Sequence, residues 1–172
     1  ELEISMILLK YPEDIRKAWG KKKYQEEMDY IVAYEKRNRF ITNLALDQDG
    51  NTLVLFQYVE KHGKPLYDMI KTKAHARRQI FYVSLGTFST GVNIRNLHNV
   101  VFASPSKSQI KVLQSIGRGL RKSDNGQATK LFDLADDLHW KSRKNYTLLH
   151  AAERMKIYGK EKFKYKIYEV DI

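Results

Sequence analysis

The 172-residue chain contains no cysteine, so neither a disulfide nor a thiolate metal site can operate in it, and a reducing compartment is permitted. No stretch approaches the run of about 18 apolar residues that spans a bilayer. The opening, ELEISMILLKYP, lacks the basic-then-apolar layout of a signal peptide. The expectation is a cytoplasmic protein with no membrane partner. Its five histidines, His62, His75, His98, His139 and His150, are scattered without an HExxH or similar pairing, which leaves little to hold a metal. Internal repeats and low-complexity linkers are absent. So is the phosphate loop GxxxxGK[ST]. The nearest text, WGKKK (19–23), lacks the first glycine and the hydroxyl residue that would hold Mg²⁺. The chain also begins with Glu1 instead of methionine, which suggests excision from something longer.

What is present in excess is positive charge. A formal charge of +11 and a pI near 9.7 favour polyanionic partners through phosphate neutralisation and counterion release, although a solvated basic surface would read the same way. At 20.2 kDa with 42% hydrophobic residues, the chain is long enough for one well-cored domain and short for two.

ISMILL (4–9) is a short apolar run closed by Pro12, and PEDIRKAW then offers helix-start chemistry with acids in its first turn. Apolar residues from Tyr24 to Leu46 recur at helical spacing and predict one long amphipathic helix. After the turn DQDGN, TLVLFQYV (52–59) reads as a strand buried on both faces, which KHGK (61–64) breaks before PLYDMIK starts a helix. QIFYVS (79–84), LHNVVFA (97–103) and ATKLFDLAD (128–136) are further buried strands. SPSKSQIKVLQSI opens as a helix on capping serines. A helix over 142–158 and the basic, aromatic tail KFKYKIYEV (162–170) complete the chain. The tail alternates, so the expectation is aromatics packed inward and lysines outward, with a basic strand along nucleic acid as the other reading.

Apolar strands separated by helices predict an α/β domain with a mostly parallel sheet, whose ligand site lies at the carboxyl ends of the strands. One interval is short. No helix separates Ser84 from the loop GTFSTGVNI, although a parallel crossover needs about a dozen residues or more. Either the strands pair differently there, or a stretch of natural chain is missing.

Within QSIGRGLR (114–121), Gly117 and Gly119 each cost a helix about 1 kcal/mol relative to alanine, so they are not there for helix stability. Arg118 and Arg121 fall on one side of a terminal turn, and two fork-shaped cations suit phosphate oxygens. Aimed at a γ-phosphoryl group they would act as arginine fingers, a role worth ~10³–10⁵ in rate. Solvated arginines beside a C-capping glycine would look the same. In LGTFSTGVNIRN (85–96), small hydroxyl residues with Gly86 and Gly91 would let backbone amides approach a phosphate or sugar, or simply form a polar turn.

Taken in order, strand-KHGK-helix, GTFSTGVNI and QSIGRGLRK resemble motifs IV, V and VI of the superfamily 2 helicases, over roughly 51–136. The resemblance implies a second RecA-like lobe, preceded by a strand and long helix (1–50) and followed by a C-terminal helix and basic strand (137–172). It implies that Gln114, Arg118 and Arg121 face ATP bound by another RecA-like lobe, with both arginines at the γ-phosphate. Gly91 and Asn93 fall where the family contacts the ribose, Asn93 standing in place of an aspartate. Lys61, His62, Gly63, Lys64, Ser84 and Thr87 fall where the family holds the nucleic-acid backbone, which positions a strand without reading its sequence. The cofactors implied are ATP and Mg²⁺, the metal held by the N-terminal lobe. The partners implied are that lobe of the same protein and DNA, single-stranded or branched as in recombination.

The family also has a helix and a strand between QIFYVS and motif V, the piece the crossover argument finds missing, and the expectation is that it belongs to the natural protein. LADDLHW (134–140) mimics the DExH box but follows motif VI, so Asp133, Asp136 and Asp137 are expected in a strand-end turn and cap and not as metal ligands. The chain alone is expected to bind nucleic acid weakly and to hydrolyse no ATP. The rival reading is a non-enzymatic basic domain that stacks single strands on its aromatics; a docking platform built on 142–172 is a third.

Overall fold

The computed structural model describes residues 2–73, 80–89, 97–105, 109 and 128–172. Six strands form one parallel sheet in the order β3-β2-β4-β5-β1-β6. The strands are β1 (Leu2–Lys10), β2 (Asn51–Phe56), β3 (Ile80–Ser84), β4 (Leu97–Phe102), β5 (Thr129–Asp137) and β6 (Lys164–Asp171). The helices among the described residues are α1 (Glu13–Ala18), α2 (Tyr24–Ala33), α3 (Glu35–Asp47), α4 (Lys64–Lys71), α5 (Leu85–Ser89) and α6 (Tyr146–Lys160). A π-helical turn, Val59–Gly63, runs directly into α4. The expected α/β class, with a parallel sheet and a C-terminal helix and strand, is the class observed. No helix among the described residues is long and apolar enough to cross a membrane.

The apolar runs of β2 and β4 are buried because helices cover both faces of the sheet. On one face Ala151 and Tyr158 of α6 pack over Leu53, Leu55, Phe102 and Leu131. On the other, Ile41 and Ala45 of α3 with Leu66 and Ile70 of α4 pack over Val54, Val101 and Leu134. β1 is an interior strand next to the edge, paired in parallel with β5 on one side and β6 on the other, so the N-terminal, middle and C-terminal stretches all contribute to this one sheet.

Four local expectations are corrected. The helix over 24–46 is two helices, because Tyr34 adopts an extended conformation (ψ 109°). The apolar pattern runs through the break in phase, and the Asn38 side chain donates to the Val32 carbonyl, 3.0 Å, satisfying a group left without its helical partner. The strand 52–59 stops at Phe56, and its remainder enters the π turn. The tail strand β6 is an edge strand whose Tyr165, Ile167 and Tyr168 stand 39%, 50% and 47% exposed, so its aromatics do not pack inward as expected. Asp133 and Asp136 form neither a turn nor a cap, but lie fully buried within β5.

These two carboxylates are held by arginines. Arg37 of α3 grips Asp136 in bidentate fashion at 2.7 and 3.0 Å, donates to the Ala103 carbonyl at 2.6 Å, and shares Asp136 with the Tyr11 hydroxyl at 2.7 Å. Arg154 of α6 grips Asp133 at 2.8 and 2.9 Å, and the Tyr158 hydroxyl donates to the same carboxylate. Burial alone would lower the pKa of either arginine. Burial is the largest single influence, but the charge and hydrogen bonds of the facing aspartate, together with the neighbouring tyrosine, outweigh it in both cases, so each guanidinium is raised above its ordinary value. Burial, and then the Asp136 charge, push the Tyr11 hydroxyl well up. A third buried acid, Glu27 of α2, accepts from the backbone N–H groups of Tyr146 (3.1 Å) and Thr147 (2.7 Å), capping the N-terminus of α6 from another helix.

β3 and β4 flank β2 and both run parallel to it, so the short interval does not reverse the pairing. The connection, residues 85–96, includes the five residues of α5.

Removing one partner of a buried pair strands the other charge. Arg37→Met is therefore expected to destabilise the fold by about 3–5 kcal/mol in urea unfolding, and the double variant Arg37→Met/Asp136→Leu to regain most of that loss. A double variant no more stable than the single one would contradict this reading of the pair.

Candidate functional site

The π turn and α5 begin at the carboxyl ends of two neighbouring strands, since Phe56 at the end of β2 lies in register with Ser84 at the end of β3. The KHGK residues and the Ser84–Thr87 pair therefore share one end of the sheet, where the sequence placed a site.

Each KHGK residue has a distinct environment. Lys61 is exposed; its ammonium lies 3.2 Å from Asp29 of α2 and 5.5 Å from the centroid of the Tyr58 ring. Hydrogen bonds from Gln25 and then Lys61 lower the Asp29 carboxyl below its ordinary value. A surface pair of this kind is readily exchanged for another anion. Lys64, the first residue of α4, is also exposed, with Glu60 one turn back at 4.0 Å. His62 differs. It is fully buried, and its Nε2 lies 3.0 Å from the Asn38 Oδ1, so the imidazole cannot touch a strand at the surface as the sequence suggested. Since the Asn38 amide nitrogen donates to Val32, its oxygen accepts and His62 carries its proton on Nε2. Burial, and then the nearby Arg37 cation, hold His62 down to about 3.

Gly63 is also buried, and its backbone passes so close to β2 that a Cβ there would stand 2.3 Å from the Phe56 ring. The glycine is required by that approach, which tucks the π turn against the strand. An extra backbone residue in a helical turn is a common device for re-aiming side chains near functional sites. Here it leaves Lys61 and Lys64 outside with His62 inside. At the neighbouring strand end, the Ser84 hydroxyl donates to Thr87 Oγ1 at 2.8 Å and accepts from the Thr87 backbone N–H at 3.2 Å, the reciprocal pattern of an N-cap on α5.

Gly91, Asn93, Gln114, Arg118 and Arg121 lie outside the described residues. Among the described residues no cluster of three or more histidines and acids gathers to hold a metal. Asp133 and Asp136 are occupied by their arginines.

Three residues of the site did not stand out in the sequence: Asp29, which pairs with Lys61, Asn38, which holds His62, and Arg37 behind them. A signal was there. Arg37 and Asn38 fall on the same helical face as Ile41, Thr42 and Ala45, and a polar pair on an apolar face implies buried partners.

With helices on both faces of six parallel strands, the chain has the RecA-like fold and resembles a lobe of the superfamily 2 helicases. Its similarity is to a particular member, the ATP-dependent DNA helicase UvsW of Enterobacteria phage T4, with 34% identity in a match over 208 residues that covers 100% of this chain and 41% of that protein. The crystal structure of T4 UvsW matches with a TM-score of 0.85 at 33% identity, covering 99% of this chain and 42% of that one. The chain thus spans about two-fifths of the relative's length. No protein-family model matches the chain.

The His62 environment gives a pH signature. Its folded pKa of about 3 lies below the ordinary 6.5, so the unfolded chain takes up the proton first. Stability from the neutral ring is complete above pH 6.5 and falls as pH drops toward 3, by up to about 1.4 kcal/mol per unit. Urea unfolding of the parent and of His62→Gln is expected to show their stability difference shifting by about 2–3 kcal/mol, against the parent, between pH 7 and pH 4.5. A difference independent of pH would contradict the assignment.

Proposed function

We propose that the chain is the C-terminal motor lobe of an ATP-dependent DNA helicase or translocase acting on branched DNA in recombination, repair or replication. The observation that carries the reading is the similarity to UvsW over the whole of this chain, joined to a carboxyl-end site that exposes two lysines, beside Asp29 and Glu60, and two hydroxyls. In this reading Lys61 and Lys64 meet strand phosphates as point charges, and Ser84 and Thr87 meet them as hydroxyl donors. His62 and Gly63 touch no strand. The imidazole fixes the turn through Asn38, and the glycine lets the turn lie against Phe56.

The nucleotide falls to Gln114, Arg118, Arg121, Gly91 and Asn93. This donor set, two guanidiniums, two amides and a glycine backbone, suits phosphate and ribose oxygens and contains no carboxylate for a divalent cation. Mg²⁺ and the phosphate loop therefore belong to an N-terminal lobe of the same protein. Hydrolysis of ATP would supply the energy for the cycle of the two lobes. The part of this chain is to present Arg118 and Arg121 to the γ-phosphate when the lobes close, and to keep hold of the strand through Lys61 and Lys64. Taken alone, the chain hydrolyses no ATP. The match to UvsW extends over more positions than this chain has residues, which supports a piece of natural chain missing from this sequence; its place near 84–85 rests on the order of the motifs.

In the complete two-lobe protein, Arg121→Ala is expected to lower strand-stimulated ATP hydrolysis by ~10³ or more while ATP affinity, measured by equilibrium binding, stays within a few-fold. Unchanged turnover would count against the motor reading and for a basic domain that only binds nucleic acid.

A further inference from the structure

The amino ends of β5, β1 and β6 carry a second basic feature, at the opposite end of the sheet from Lys61 and Lys64. Glu3 pairs in register with Lys130 on one side and Lys164 on the other, and Ser5 pairs with Phe132 and Lys166. Because side chains two residues apart share a face, Lys130, Lys164, Lys166 and Tyr168 project to the same side. There they line a cleft of about 830 Å³. Lys130 and Lys166 are exposed, and Tyr168 is 47% exposed. One carboxylate, Glu3, among three ammonium groups leaves the cleft net positive. The cleft lies beyond the end of α3, where Gln48 closes one wall.

We propose that this cleft is a second strand-binding site, taking a short segment of single-stranded DNA by its phosphates and stacking a base on Tyr168. The inference rests on the helicase-lobe reading above. Lys164 and Lys166 stand roughly 6.6 Å apart along β6, and Lys130 roughly 9.5 Å across two strand spacings. This spacing is comparable to the repeat of an extended polynucleotide backbone. A concave cleft with an aromatic wall admits one strand, whereas a duplex would touch only its rim. The cleft is centred on β1, three strand positions from β2, and lies a strand's length away from the carboxyl end of β2, so it is roughly 25 Å from the Lys61–Lys64 surface. That separation suits a second segment of the same DNA and excludes adjacent nucleotides of the first.

The test is fluorescence anisotropy of a labelled oligothymidylate of about 16 nucleotides binding to the 172-residue chain over a range of salt concentrations. Lys130→Ala/Lys166→Ala is expected to weaken binding and to reduce the slope of log affinity against log salt by about 1.4, about 0.7 for each phosphate that is no longer neutralised. Tyr168→Ala is expected to weaken binding about tenfold with the slope unchanged, since stacking carries no charge. All three side chains are exposed, and an unchanged thermal midpoint checks that the variants fold. Lys61→Ala/Lys64→Ala serves as the comparison. If the Lys130/Lys166 pair leaves affinity and slope unchanged while the Lys61/Lys64 pair weakens binding, the second site is refuted and the motor reading stands. If only the Lys130/Lys166 pair matters, the cleft stands and the placement of the strand at the carboxyl ends falls. If the parent chain binds no oligonucleotide, both fall together.

Discussion

Asp133 and Asp136 lie an odd number of residues apart on β5, so the pleat sends one carboxylate to each face of the sheet. Each meets an arginine from the helix on its own side, Arg154 of α6 or Arg37 of α3, with a tyrosine hydroxyl completing the shell. Desolvating four charges is costly, and well-packed apolar residues could fill the space at least as stably. What the pairs supply is position. A bidentate contact fixes the direction of a helix as well as its distance. Arg37 also binds the carbonyl of Ala103, just past the end of β4, so α3 is tied to two strands at their carboxyl ends.

From that tie the site follows in a chain of contacts. Asn38, next to Arg37, spends its amide on the broken end of α2 and its oxygen on His62. The buried histidine draws the middle of KHGK inward, the close approach of Gly63 to Phe56 fixes how far, and the two lysines are left facing out. Burial, and with it the same Arg37 cation that positions α3, disfavours charge on His62, so a second proton is kept off the ring beneath the lysines.

The sequence pattern revealed the sheet more readily than its fine structure. The runs TLVLFQYV and LHNVVFA read as strands buried on both sides, and their alternation with helices argued for a mostly parallel sheet. The break at Tyr34 was invisible because the apolar residues keep phase across it, and a hydrophobic pattern reports the face of a helix but not its continuity. The buried aspartates were misread because LADD looks like a turn when taken locally, while their partners are encoded about 20 residues later, at Arg154, and 99 residues earlier, at Arg37. The tail misled for another reason: alternation says which residues share a face, and only the place of β6 at the sheet edge says that neither face there is well covered. Of the site, Lys61, Lys64, Ser84 and Thr87 were legible at the surface, whereas the burial of His62 depends on Asn38, which no local motif links to it.

In the proposed motor this lobe is one half of a composite site, with the anchored carboxyl ends of the sheet as the platform and arginines as its contribution to chemistry. The most direct measurement is a crystal structure of the two-lobe protein with Mg²⁺ and a non-hydrolysable ATP analogue. The account predicts the guanidinium groups of Arg118 and Arg121 within hydrogen-bond distance of the γ-phosphate, which the other lobe holds. Side chains folded back into their own lobe, or pointing away from the cleft between the two, would contradict it.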